Sequence, residues 1–401
     1  MKSNLSFSRG SVSAAGLLVA GSLAVPASTW AAEKPGPVIP EAREALEKAV
    51  EGREVAGGVT LAGDADGVLH QHSAGWASLE NNRAMSADAI FWIASMTKPV
   101  TGAAVLMMQE EGKLAVEDPV SQYLPEFAGL KDGEGKPVSV SIAQLLTHTS
   151  GLSELSPEES ARIRTLAELT PLAAAKPAQF PPGSKWVYCQ SSINTAGRIV
   201  EVVSGRTFPE FLEERLFGPL GMKDTGFYLN ESQMKRLATS YRRTDGGTLE
   251  GAEIFLLHGK SPVSRERCPM PNGGLFSTAE DYGRFCRMIV REGELDGRLY
   301  LKPESVREMT RIHTGDLVTG FTPGNGWGLG WCVVREPQGA SEALSPGSFG
   351  HGGAYGTQAW IDPVKGRFYV LMVQRANFPN ADASELRRAF QNGAAARLDQ
   401  E

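Results

Sequence analysis

Strand signals in this chain sit at its two ends, and that placement constrains the fold more than any other feature. Residues 55–77 alternate in the period of a strand, Val59 and Leu61 on one face and Thr60 and Ala62 on the other. Asp66-Gly67 offers a turn within them, so a hairpin is expected to begin a sheet. Comparable segments return only at 329–334, 359–362 around Trp360, and 368–373. Between about 118 and 291 the text is mainly helical, broken by turn-forming groups at 131–136, Pro181-Pro182-Gly183 and Asp245-Gly246-Gly247. The expected class is therefore α/β, in the α+β sense. An antiparallel sheet is built from both chain ends (about 40–95 and 326–401) and flanked by helices, with an inserted mainly helical region (about 96–325). Helices are expected at 40–52 and 381–398. Ser277 followed by Glu280 has capping-box spacing for a further helix over 279–290.

The first residues read as an address. Lys2 and Arg9 supply positive charge, 14–25 form an apolar stretch too short for a spanning helix, and Thr29-Trp30-Ala31 resembles a signal-peptidase site. Residues 1–31 are accordingly expected to be a signal peptide, leaving one domain over 32–401. The product would be periplasmic or secreted, with no stable membrane insertion after cleavage. Losing those two cations leaves 38 basic against 46 acidic residues, a balance that gives no support for nucleic-acid binding. Cys189, Cys268, Cys286 and Cys332 are widely spaced, without a C-x-x-C pair, so metal-ligand and thioredoxin readings fail. Export permits disulfides, with three full pairings open, and buried free thiols are the alternative. His70 and His72 alternate on one strand face without an apparent third ligand, and neither a metal nor a cofactor is expected.

Chemistry concentrates where the long apolar run begins. From Ser95 to Glu111, Val100, Ala103, Ala104, Met107 and Met108 recur at helical spacing, Pro99 falls in the first turn, and Gly112 supplies the stop. In Ser95-Met96-Thr97-Lys98 a three-residue offset puts hydroxyl and ammonium on one helix face. The helix start aims free N–H groups at any anion forming there. Serine is a poor nucleophile without a base, and lysine is a base only when neutral, which burial beside Phe91, Trp92 and Ile93 would favour. His148, close to Ser150, is expected to fix a loop rather than to activate that serine. Ser277 and Thr278 are read as caps rather than nucleophiles.

Ser95-Met96-Thr97-Lys98 resembles the nucleophile motif of the serine β-lactamase-related family, which joins class C β-lactamases, penicillin-binding proteins and family VIII esterases. The resemblance continues through Gly112-Lys113-Leu114, Glu117-Asp118-Pro119, Leu145-Leu146-Thr147-His148-Thr149-Ser150-Gly151-Leu152, Pro182-Gly183-Ser184-Lys185-Trp186, Pro219-Leu220-Gly221-Met222, Gly273-Gly274-Leu275-Phe276 and Gly350-His351-Gly352-Gly353. It implies a catalytic Tyr188, relaying the proton as phenolate or phenol. It also implies an oxyanion hole from the N–H groups of Ser95 and Ala354, and substrate contacts at Gln190, His351, Gly352 and Gly353. Two departures stand out. Gln190 occupies a place where asparagine is usual, and His351-Gly352-Gly353 replaces Lys-Thr-Gly. Both tilt against β-lactam turnover. His351 is expected to bind a carboxylate when protonated or an ester when neutral.

The expected activity is that of an exported serine hydrolase acting through acyl-Ser95 on a small ester, amide or peptide substrate, a carboxylic ester first. A β-lactamase, D-alanyl-D-alanine carboxypeptidase or D-aminopeptidase is the alternative enzyme. A non-catalytic scaffold binding peptidoglycan or another protein is the alternative of another kind. Loops at 260–271 and 314–325 are expected to shape the pocket rim.

Overall fold

The computed structural model describes residues 37–400. The expected signal peptide lies outside the described residues.

An eight-stranded antiparallel sheet forms the centre. Its strands are β1 (Gly57–Asp64), β2 (Val68–Ser78), β3 (Arg83–Ala84), β4 (Asn325–Trp327), β5 (Cys332–Val334), β6 (Phe349–Gly352), β7 (Gln358–Asp362) and β8 (Arg367–Val373). They lie in the order β4-β5-β6-β7-β8-β1-β2-β3. The C-terminal β8 thus pairs with the N-terminal β1, Val59 opposite Met372 and Leu61 opposite Val370. The two chain ends complete one another's ladder, as the strand pattern implied. The β1–β2 turn closes on Asp64, whose Oδ1 accepts from the N–H groups of Asp66 and Gly67 at 2.8 and 3.0 Å.

Both faces of the sheet are covered. Helix α1 (Pro40–Glu51) and the closing helix α5 (Glu385–Leu398) pack Ala42, Phe390 and Leu398 against Ala62, Tyr369 and Leu371. On the other face α4 (Ala279–Val290) lays Phe285 and Met288 against Val59, Leu61 and Val370. Side chains of this size each stabilise by about 1.5–3 kcal/mol when fully buried. The inserted region holds α2 (Thr97–Glu110) and α3 (Gln190–Ser204), which pack on one another.

Two local expectations are corrected, and one open alternative is decided. The strand expected from 329 begins only at Cys332, because Trp327 pairs with Cys332 and residues 328–331 form the turn between β4 and β5. That turn docks on α2: a Cβ at Gly330, where φ is +85°, would lie 2.7 Å from the Lys98 carbonyl oxygen. The cap of α4 is Thr278, whose Oγ1 accepts from the Asp281 N–H at 3.1 Å. Ser277 instead lies in a short strand, Phe276–Ser277, paired with Phe91–Trp92. Finally, all four cysteines are buried free thiols.

Candidate active site

The segment Phe91–Trp92 delivers the chain to Ser95 through an abrupt bend. Ala94 has φ +46°, a left-handed conformation that costs an alanine energy and that tertiary contacts must hold. Those contacts are visible: Thr97 Oγ1 donates to the Ala94 carbonyl at 2.7 Å and accepts from the Leu275 N–H at 3.2 Å, while the Tyr282 hydroxyl donates to the Met96 carbonyl at 2.9 Å. Ser95 sits in a single 3-10 turn (Ala94–Met96), and α2 starts at Thr97 rather than at the serine. Every α2 residue from Thr97 to Met108 is buried, Lys98 included.

Lys98 Nζ donates to Ser95 Oγ at 3.0 Å, to Gln190 Oε1 at 2.9 Å and to the Asn272 carbonyl at 2.7 Å, which uses all three of its protons. Burial lowers its pKa to about 7, against the opposing pull of Glu154 and Cys189. Ser95 and Lys98 are neighbours, as their three-residue offset implied, and the structure brings Gln190 to the lysine as well. The extra methylene of Gln190 is absorbed without losing the lysine contact, and the same oxygen accepts from Asn272 Nδ2 at 2.8 Å. Asn194 serves elsewhere, its Oδ1 accepting from the Asn272 N–H at 3.0 Å.

Tyr188 lies beside this pair, with Lys98 Nζ 4.5 Å from the centroid of its ring. Burial raises its pKa well above 10, the Ser95 side chain pulling it back only in part. The phenol is therefore protonated near neutrality, and the phenolate alternative falls. Its hydroxyl lies 3.4 Å from His351 Nε2. On the far side of that ring, Nδ1 lies 2.7 Å from the Gly352 carbonyl oxygen. A carbonyl only accepts, so the proton sits on Nδ1 and Nε2 accepts from Tyr188. Burial, with the Lys98 charge adding, lowers the His351 pKa to about 3. His351 is therefore neutral near pH 7, the state in which an ester contact was expected of it.

Beside Ser95 runs β6, which ends at Gly352. A Cβ at Gly353 would lie 2.1 Å from Thr357 Oγ1 and 2.6 Å from the Ile93 carbonyl oxygen, so only glycine fits there. Ser95 and Ala354, whose backbone N–H groups are the expected oxyanion-hole donors, both line the cavity described below.

His148 stands behind Tyr188, ring centroids 4.4 Å apart, and its Nδ1 accepts from the Cys189 N–H at 3.1 Å. Ser150 bonds Ser192, Oγ to Oγ at 2.6 Å, not His148. This is the loop-fixing role expected of the histidine. His70, lowered to about 4 by burial, is held between the Ile39 N–H and Thr60 Oγ1. No group of three or more metal-ligating side chains occurs among the described residues.

These groups open into a cavity of about 700 Å³. Met270 and Phe321, from the two loops expected at the rim, line it. So do two residues that sequence reasoning missed, Glu154 and Asn272. Asn272 stands just before the Gly273-Gly274 landmark, a position that marked a turn but not a carbonyl aimed at a lysine. Glu154 lies in a loop without any periodic signal. Among the described residues no lysine or arginine lines the cavity, Lys98 standing behind Ser95, while Glu154 and Asp382 do.

Comparison with known proteins adds four findings. The family model described as Beta-lactamase matches residues 42–393. Protein Rv1367c of Mycobacterium tuberculosis is 33% identical over 359 residues, covering 82% of this chain and 88% of the relative. Esterase EstB of Burkholderia gladioli is 29% identical over 360 residues, covering 82% and 89%. Among solved structures, EstCE1, described as a hydrolase with promiscuous acyltransferase activity, superposes with a TM-score of 0.75 at 24% identity, over 88% of this chain and 97% of its own.

Proposed function

This chain belongs to the beta-lactamase family, and on that premise we propose that it is a serine carboxylesterase that passes the acyl group of its substrate through Ser95. The observation that carries this reading is the 3.0 Å contact between Ser95 Oγ and a fully buried Lys98 amine whose pKa is near 7. Neutral Lys98 takes the Ser95 proton as the oxygen attacks the ester carbonyl carbon. The carbonyl oxygen becomes an anion at the N–H groups of Ser95 and Ala354. Such donors are typically worth about 2.7–4 kcal/mol each. When the C–O bond to the alcohol breaks, the proton on Lys98 passes to the departing oxygen, with the Tyr188 phenol beside it as a donor. Water then attacks the acyl-serine, loses its proton to Lys98, and leaves with the acyl group as a carboxylic acid while Ser95 regains its hydrogen.

A relative named as an esterase supports the choice of substrate, and so does the charge of the cavity. β-Lactam antibiotics and peptides ending in D-alanine carry a carboxylate. Here it would meet neutral His351 and the carboxylates of Glu154 and Asp382, with no lysine or arginine on the walls among the described residues. A charged group buried without a partner costs more than the 1–3 kcal/mol of a neutral one. Lys2, Arg9 and the apolar stretch behind them support export, and among the described residues no helix is long and apolar enough to cross a membrane.

The test is a substrate panel at pH 8. We expect kcat/KM for p-nitrophenyl butyrate to exceed that for nitrocefin and for a peptide ending in D-Ala-D-Ala by about a hundredfold or more. Equal rates on nitrocefin or the peptide would instead assign a β-lactamase or carboxypeptidase. Binding to peptidoglycan without turnover of any probe would assign a scaffold. A second expectation concerns the loop after β6. Gly353→Ala must push the chain away from the Ile93 carbonyl, displacing the Ala354 N–H. Since an ångström of misplacement costs on the order of a hundredfold, ester kcat is expected to fall by about that much, as steady-state rates will show.

A further inference from the structure

Helix α3 begins at Gln190, the residue whose amide oxygen receives Lys98, yet its own N-cap, Cys189, makes no side-chain capping bond. The Cys189 thiol points back instead, donating to the Leu152 carbonyl at 3.3 Å. The free N–H groups of the first turn are satisfied from outside the helix. Glu154 Oε1 accepts from the Gln190 N–H at 2.5 Å, and its Oε2 accepts from both the N–H and the Oγ of Ser191 at 3.0 Å. The loop that carries Glu154 is itself tied down. Lys176 Nζ donates to the Glu154 carbonyl at 3.0 Å, and the Gln179 N–H donates to the Gly151 carbonyl at 2.7 Å. A Cβ at Gly151, where φ is +75°, would lie 2.3 Å from the Phe180 carbonyl oxygen.

We propose that Glu154 is a positioning residue of the site: its carboxylate clamps the first turn of α3 and so holds the Gln190 amide on Lys98. An ordinary cap would need only a serine or asparagine at position 189. A carboxylate reaching across from another loop does the same and adds a charge beside the base. The groups acting on Lys98 can be named. Its bonded partners Ser95, Gln190 and Asn272 are neutral, and the Tyr188 phenol is protonated. His351 and His148 are neutral through burial, and the Cys189 thiol is pushed up to about 12. That leaves Glu154 as the formally charged group among them, and it favours the ammonium form of Lys98. The clamp thus also tunes the pH at which the base is released. This inference rests on the reading of Lys98 as that base.

The experiment compares Glu154→Gln, which keeps the shape and loses the charge, with Glu154→Asp, which keeps the charge. In the glutamine variant one Nε2 faces the N–H donors of α3. We expect kcat on p-nitrophenyl butyrate to fall roughly ten- to a hundredfold, the loss expected for hydrogen bonds to a charged group, with little change in KM. The midpoint of the kcat/KM profile should move to lower pH, because the ammonium form has lost its support. Glu154→Asp should keep the wild-type midpoint. Hydrogen exchange at the Gln190 and Ser191 amides should accelerate in Glu154→Gln and recover in Glu154→Asp. A folded Glu154→Gln enzyme with wild-type exchange at those amides and an unmoved midpoint overturns the proposal. Should the wild-type protein hydrolyse no ester, the esterase reading fails by itself, and the exchange rates still decide whether the clamp exists.

Discussion

Ser95→Ala is expected to abolish ester hydrolysis, lowering kcat by roughly 10⁴–10⁶-fold, the range seen when an acyl-accepting serine is removed. The residual rate measures what the two N–H groups and the cavity contribute without a nucleophile. Nothing else in the cavity stands ready to replace it. Ser191 donates its hydroxyl hydrogen to Glu154 and sits at the start of α3. Among hydroxyl groups only that of Ser95 receives a hydrogen bond from Lys98. The variant should fold normally, since the substitution removes one partly exposed oxygen and leaves the Ala94 bend pinned by Thr97 and Tyr282. Stopped-flow ester assays and a melting curve check both halves. Labelling of the wild-type protein by a fluorophosphonate, with the adduct mapped by mass spectrometry, checks the assignment independently. An adduct on any other residue, or ester turnover surviving in Ser95→Ala, removes the foundation of the proposed mechanism.

How much of this was legible beforehand depends on whether the governing interaction is local. The hairpin at 57–78 and the share of both chain ends in the sheet follow from strand periodicity at the two ends, because a strand's apolar alternation is written into its own residues. Ser95 and Lys98 are neighbours for the same reason, one turn apart on a single helix. The cap of α4 shows where local signals stop short. Ser277 and Thr278 each precede an acidic residue by three positions, and only the pairing of Phe276–Ser277 with Phe91–Trp92 decides between them. The turn at 328–331 resembles strand text, and its folding back depends on the close approach of Gly330 to α2.

The remainder of the site belongs to the tertiary structure alone. Glu154 and Asn272 are 56 and 174 residues from Lys98 in sequence. No periodicity links them. The charge state of His351 is likewise invisible in sequence, since it follows from complete burial and from the neighbouring lysine. The likeness to a family supplied the identities of Tyr188, Gln190 and His351. Protonation states came only once their surroundings were known. A protonated Tyr188 and a neutral His351 are results of burial.

That distinction sets up the second large effect. If Lys98 is the base, Lys98→Met should cost about 10²–10⁴-fold in kcat/KM, the usual contribution of proton transfer by a placed side chain. Methionine fills much of the space of the buried lysine, so the loss reports the amine and not a collapsed cavity. The pH profile gives the more discriminating result. In the wild-type protein the rate should climb as pH rises through about 7, where Lys98 gives up its proton, and that limb should vanish in the variant. Tyr188 cannot supply it, its pKa lying well above 10, nor can His351, lowered to about 3. The stability of the wild-type protein should also rise with pH. Because the folded-state pKa of Lys98 lies below that of a lysine in the unfolded chain, the unfolded state holds more protons across the interval between them. Folding is therefore penalised most at and below pH 7, where the native state must bury an ammonium or lose its proton, and the penalty fades as pH rises toward the unfolded value. Lys98→Met removes that penalty, so its melting temperature relative to wild type should be highest at pH 6 and converge toward it at pH 9. Scanning calorimetry across that range, beside the rate profile, tests one assignment from two sides. A variant that kept the limb near pH 7, or showed no pH-dependent difference in stability, would mean that the amine buried beside Ser95 is not the group that takes its proton.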